Sequence, residues 1–113
     1  MIKIKRIYEK VEKSDGYRVL VDRLWPRGVS KEKVNLDLWL KDIAPSTELR
    51  KWFEHDSKKW LRFQKKYTAE IAVNKEVFVE LKKVVKENKN ITLLYAAKDE
   101  IHNEAVIIRD LLK

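Results

Sequence analysis

The chain has 113 residues and a formal net charge of +8, from 26 Lys and Arg against 18 Asp and Glu. Hydrophobic residues make up 44% and charged residues 39%, which suits one folded domain over residues 1–113 and excludes a disordered chain. There is no Cys, which excludes disulfides and thiolate chemistry, and no apolar run long enough to cross a bilayer.

The first ten residues, MIKIKRIYEK, mix charge with apolar residues and lack the continuous apolar core of a signal peptide. A cytoplasmic protein with no membrane partner is the expectation. Ile2, Ile4 and Ile7 alternate in part with Lys3, Lys5 and Arg6, which predicts a strand over residues 2–8. Ser14-Asp15-Gly16 is a turn signal. A second strand follows over 17–23, with Val19, Leu20 and Val21 as a short apolar run. So short a link favours an antiparallel hairpin, because parallel crossovers usually need a dozen residues or more.

That second strand surfaces at Asp22-Arg23 and stops at Trp25-Pro26-Arg27-Gly28. Val34, Leu36, Leu38 and Leu40 alternate with their neighbours, which argues for a short extended segment. Ser46 is a good N-cap with Glu48 in the first turn, so a helix starts there and ends at His55-Asp56. The next helix, capped by Asp56 or Ser57, sets Trp60, Phe63, Tyr67 and Ile71 on one face and Lys58, Lys59, Arg62, Lys65 and Lys66 on the other. Asn74 opens a third helix with Val77, Phe78, Leu81, Val84 and Val85 turned inward. Residues 91–97, ITLLYAA, read as a central strand buried on both faces. A polar loop from Lys98 leads to a last helix at about Asn103.

Two strand ends are polar: Asp22-Arg23 with Arg27, and Lys98-Asp99-Glu100 before His102-Asn103. Open α/β sheets bind ligands at the C-terminal ends of their strands. If the two strands are parallel neighbours, these groups meet. Arg23, Arg27, Lys98 and Asn103 are then the ligand-binding candidates, with the two Arg forks on one phosphate or carboxylate. His102, Asp22 and Asp99 are the candidates for acid–base or orienting roles. Each has a plainer use. Asp22-Arg23 is also an ordinary ion pair closing a strand. Asp99, His102 and Asn103 are also an ordinary helix cap. No phosphate loop or metal-ligand spacing occurs, so no cofactor and no metal is expected. With only His55 and His102, a histidine metal site would need carboxylates.

Four stretches carry a family resemblance: VLVDRLWPRG at Val19–Gly28, APSTELRKWFEHD at Ala44–Asp56, KWLRFQKKYTAE at Lys59–Glu70, and LLYAAKDEIHNEA at Leu93–Ala105. Through them the chain resembles the YeaO-like branch of the domain-of-unknown-function family 488. The resemblance implies a small single-domain α/β fold. Its mainly parallel sheet of three strands or slightly more is flanked by four or five helices. It also favours a parallel relation between the first two strands, against the hairpin. Other branches carry Cys and His-Arg after the last strand, where this chain has Tyr95 to Ala97 and His102-Asn103, so no thiol role is implied.

Three functions fit these residues. One is binding of, or action on, an anionic small molecule or nucleotide at the C-terminal edge of the sheet. The second is a basic nucleic-acid-binding module using the Lys58–Lys66 face, with Trp25 or Trp39 as a stacking platform; the scattered Lys and Glu make such binding weak. The third is a protein-interaction domain docking through Trp39 or Trp25.

Overall fold

A computed structural model describes residues 1–113. Four strands form one sheet in the order β1-β4-β2-β3, with β1 at Ile2–Arg6, β2 at Tyr17–Leu20, β3 at Leu38–Trp39 and β4 at Ile91–Tyr95. Every pairing is parallel, with Ile91 of β4 opposite both Ile2 and Tyr17. Four α-helices follow: α1 at Thr47–Phe53, α2 at Trp60–Val73, α3 at Lys75–Glu87 and α4 at Glu104–Leu112. The α/β class and the parallel sheet expected from the resemblance are both present. None of these helices is long and apolar enough to cross a membrane.

The hairpin expected between β1 and β2 does not form. The two strands run parallel and never touch, because each pairs with a different edge of β4. Every residue of β4 is buried. A strand that is apolar on both faces and central offers two ladders, and β1 and β2 gain more from it than from each other. The link 7–16 crosses the sheet as loop with one short 3-10 turn at Lys13–Asp15, so no crossover helix is needed.

The two faces of the sheet are covered differently. Val19, Val21, Ile91, Leu93 and Tyr95 pack against residues of all four α-helices, including Phe53, Phe63, Tyr67, Leu81 and Ile108. Leu20 and Leu94 point the other way, against Ile7, against Val34 and the half-buried Trp25 and Leu36 from the irregular segment 22–37, and against the half-buried Trp39 of β3. Near the start of the strands that second face is polar. Asp15, fully buried, lies 2.9 Å from Lys5 Nζ and 2.6 Å from Arg18 Nη1, and its main-chain carbonyl accepts from Thr92 Oγ1.

Helix ends follow local chemistry. Ser46 Oγ accepts from the Leu49 amide and caps α1. α1 then stops where Glu54 and His55 adopt φ of 47° and 56°. Asp56 caps a 3-10 turn at Ser57–Lys59 that leads into α2. Asn74 stands between α2 and α3, but its side chain donates to the Asp42 carbonyl instead of capping. The stripe on α2 is buried at Phe63, Tyr67 and Ile71 and half-buried at Trp60.

Candidate ligand-binding site

β2 and β4 are neighbours and parallel, so their C-terminal ends open on the same edge of the sheet. Backbone pairing ends with the Val21 amide on the Leu94 carbonyl. Asp22 extends it by one rung with its side chain, its Oδ2 accepting from the Ala96 amide at 2.9 Å. The Asp22 carbonyl accepts from Trp39 Nε1, so the residue is held at both ends. Arg23 points the other way along the edge. Its Nε and Nη2 donate to the carbonyls of Pro45 and Ala44 at 3.1 and 3.0 Å, tying β2 to the segment before α1.

After β4 the chain turns on Asp99. Its Oδ1 accepts from the amides of Ile101 and His102, and its Oδ2 lies 2.8 Å from His102 Nδ1. Those bonds, the His102 amide first, hold the Asp99 carboxyl down at about 2, so it stays ionised. Anchoring through Nδ1 fixes the His102 ring, which meets Trp60 edge-on at 5.1 Å, and leaves Nε2 as its second polar atom. Asn103 is buried. Its Oδ1 caps α4 through the Val106 amide, and its Nδ2 donates to the Asp99 carbonyl.

These ends enclose a cleft of about 890 Å³. Its lining includes Asp22, Arg23, Lys98, Asp99, His102 and Asn103, six of the seven residues singled out from the sequence. Arg27 is not among them. It is exposed beyond Pro26, and its carbonyl accepts from the Tyr8 hydroxyl. The stiff Trp25-Pro26 corner carries the chain away from the edge before Arg27 is reached. With Arg23 committed to two carbonyls, the pair of Arg forks expected on one anion is not assembled.

Four ionisable residues line the cleft that sequence reasoning did not place there: Arg50, Lys51 and His55 from the end of α1, and Glu104 at the first position of α4. Glu104 is strongly perturbed. Burial, then a hydrogen bond and charge from Asp22, push its carboxyl well above the usual range, while Arg50 opposes them. Tyr67 packs behind it with its hydroxyl on the Ile43 carbonyl, and burial raises that phenol too. Nothing in the sequence marks Glu104, because an acidic residue in a first helical turn reads as ordinary dipole complementarity. His55 reads as a helix terminus, which it is; only the fold brings that terminus beside β4.

Walls of Leu24, Trp25, Pro26, Pro45, Phe53 and Phe63 make the cleft mainly apolar between these groups. Trp25 and Trp39 meet edge-on at 5.3 Å within the second core, and Lys31 and Lys41 lie over their rings. No three His, Asp or Glu side chains converge as a metal-ligand set. The chemistry the arrangement offers is therefore hydrogen bonding and charge: the Asp22 and Glu104 carboxyls, an ionised Asp99 orienting a His, and three cations at the rim.

Comparison with known proteins accords with the four motifs. The chain is 45% identical over 112 residues to the uncharacterized protein YeaO of Escherichia coli (strain K12), covering 99% of this chain and 96% of that one. It is 33% identical over 111 residues to the uncharacterized proteins Rv3073c of Mycobacterium tuberculosis (strain H37Rv) and Mb3100c of Mycobacterium bovis, covering 98% of this chain and 92% of each. No solved structure matches it significantly. A family profile described as the inactive DUF488-N3 subclade matches residues 1–113 from end to end, and the chain belongs to that family.

Proposed function

We propose that the chain is a ligand-binding domain that takes an anionic small molecule, up to nucleotide size, in the cleft at the C-terminal edge of the sheet. The observation that carries this reading is the cleft itself: about 890 Å³, apolar walls, and ionisable groups converging from β2, β4, α1 and α4. Pockets that enclose small molecules have this volume and this mixture of apolar wall and few polar groups. Lys98 with Arg50 and Lys51 attracts the anion at the rim. Asn103, His102 Nε2 and Asp22 orient the remainder. Asp99 positions His102, and Arg23 braces the wall through the Ala44 and Pro45 carbonyls. Binding without turnover fits the description of the family as inactive. A thermal-shift screen of nucleotides and small acids tests it. At least one anion is expected to raise the melting temperature of the wild type and to have no effect on an Arg50→Glu/Lys98→Glu variant. A screen in which no anion stabilises the wild type, or in which both proteins respond alike, refutes the reading.

The nucleic-acid reading has less support. Lys59 and Lys66 lie over the ring of Trp52, and Lys59 also donates to its carbonyl, so these cations are occupied with packing on the α1–α2 surface. Trp25 and Trp39 pack edge to face against each other, with Lys31 and Lys41 over their rings, and so are occupied in packing instead of stacking on a base. A gel-shift titration at physiological salt is expected to show weak binding that responds little to charge reversal at Arg62 and Lys66. Sub-micromolar binding abolished by that reversal would restore the nucleic-acid reading.

A further inference from the structure

His102 is a held imidazole with one nitrogen left over. Its Nδ1 lies 2.8 Å from Asp99 Oδ2, while Asp99 Oδ1 accepts from the amides of Ile101 and of His102 itself, so the carboxylate cannot turn away. From α2, Trp60 meets the ring edge-on at 5.1 Å. The side chain keeps 29% of its surface exposed, and Nε2 has no hydrogen-bond partner in the protein. An ionised carboxylate only accepts, so in the neutral ring the proton sits on Nδ1 and the lone pair on Nε2. The other histidine of the cleft, His55, is exposed and has no hydrogen-bonded partner to choose its tautomer.

We propose that His102 Nε2 is a covalent phosphoryl-acceptor site, with Asp99 as its positioning residue and an acyl phosphate or phosphoramidate as the donor class. The Nε2 lone pair attacks phosphorus and forms an N–P bond. The bond from phosphorus to the leaving group breaks, and its electron pair departs on the carboxylate or amine. The Nδ1 proton stays in place, so the phosphorylated ring is a cation and Asp99 is its counter-charge. Asp99 is suited to this because its hydrogen bonds keep it ionised. A general-base role would need a hydroxyl to deprotonate, and Thr47, the one side-chain hydroxyl in the lining, makes no hydrogen bond to His102. Among electrophiles, the cations of the ligand-binding reading, Arg50, Lys51 and Lys98, favour an anionic phosphoryl donor. Asp22 and Glu104 line the same cleft, and burial raises the Glu104 carboxyl, which lessens its opposition to that anion. The result is one modification per chain and not a catalytic cycle, in keeping with a family described as inactive.

Potassium phosphoramidate, which phosphorylates exposed imidazoles unaided, tests this on the full chain. Accessibility alone would make the exposed His55 the faster site. His102 is instead expected to react at least about tenfold faster than His55 by alkaline peptide mapping, as the Nε2 isomer by phosphorus NMR. Asp99→Asn keeps an oxygen for the two amides but turns an N–H toward Nδ1, which moves the ring proton to Nε2. It should slow His102 by about ten- to hundredfold and leave His55 unchanged. If that variant folds poorly, the wild-type rate ratio and isomer carry the test. Equal rates at the two histidines, protection of His102 while His55 reacts, modification at Nδ1, or a His102 rate unchanged in a folded Asp99→Asn variant each overturns the inference. None of these results bears on reversible anion binding, which the thermal-shift screen decides separately.

Discussion

Asp15→Asn is expected to cost the fold about 3–5 kcal/mol, a large share of the stability of a domain this size. Asp15 is fully buried, and three cations converge on it: Lys5 Nζ at 2.9 Å, Arg18 Nη1 at 2.6 Å and the more exposed Lys3 Nζ at 3.5 Å. Its carboxyl also accepts from the Glu12 amide. Arg18 is itself buried and has its other donors on the Val34 carbonyl, so it cannot swing out to water when the carboxylate is lost. Asn would turn an N–H toward one of these donors, leave the buried Arg18 without a counter-charge, and leave Lys5 with only the exposed Glu12 carboxylate at 3.3 Å. The same geometry sets an acid limb. Burial works against the ionised form, but the Glu12 amide, Lys5 and Arg18 outweigh it and bring the carboxyl from 3.8 to about 2. A lowered folded value means that the contribution is complete above the ordinary value and is lost as pH falls from about 4 to 2. Its size is about 2 kcal/mol. Protonation costs less than substitution because a neutral carboxyl keeps two oxygens that can still accept from these donors, whereas Asn replaces one of them with an NH2 group. Urea titrations at neutral pH and at stepwise lower pH check both statements. A variant within about 1 kcal/mol of wild type would show the cluster to be energetically slack.

Gly16→Ala is expected to cost roughly 3–5 kcal/mol, for a different reason. Gly16 has φ 65° and ψ −134°, a region where side chains are strained. A Cβ there would lie 2.2 Å from the Asn90 carbonyl oxygen and 2.7 Å from its carbon. That oxygen cannot yield cheaply, because it accepts the Tyr17 amide and so forms the first rung between β2 and β4. Relief requires moving the start of β2, which carries Arg18 and its ion cluster with it. Gly28 is the control: φ is 78° but nothing lies within 4 Å of a Cβ, so Gly28→Ala should cost only strain, about 1–2 kcal/mol. Chemical denaturation of both variants should separate them clearly. Equal losses would mean that the contact with Asn90 has no weight.

The elements were legible where one local signal decided them. The 91–97 run, apolar after Thr92, became a central strand over its first five residues, Ser46 and Asn103 became caps, and the Phe63-Tyr67-Ile71 stripe became core. The alternating 34–40 segment shrank to a two-residue strand at Leu38–Trp39, because Val34 and Leu36 are used to cover the second face. Local signals also overstated the site. Asp22, Arg23, Asp99 and His102 do line one cleft, but Arg23 is spent on backbone carbonyls, and Asp99 and Asn103 also shape the turn and cap before α4.

Period, capping residues and the absence of Cys are properties of neighbouring positions, so the amino-acid sequence by itself determined most of the helices, the buried central strand and the exclusion of thiol chemistry. Strand order was decided only in three dimensions, since whether β1 pairs with β2 or with β4 depends on competition for a strand far along the chain. The same holds for Asp15, whose turn signal gave no hint of a buried charge, and for Glu104, whose carboxyl is raised because the fold buries the start of α4 and sets it beside Asp22. Burial and charge depend on what surrounds a group in space, and the residues that surround these two come from distant parts of the chain.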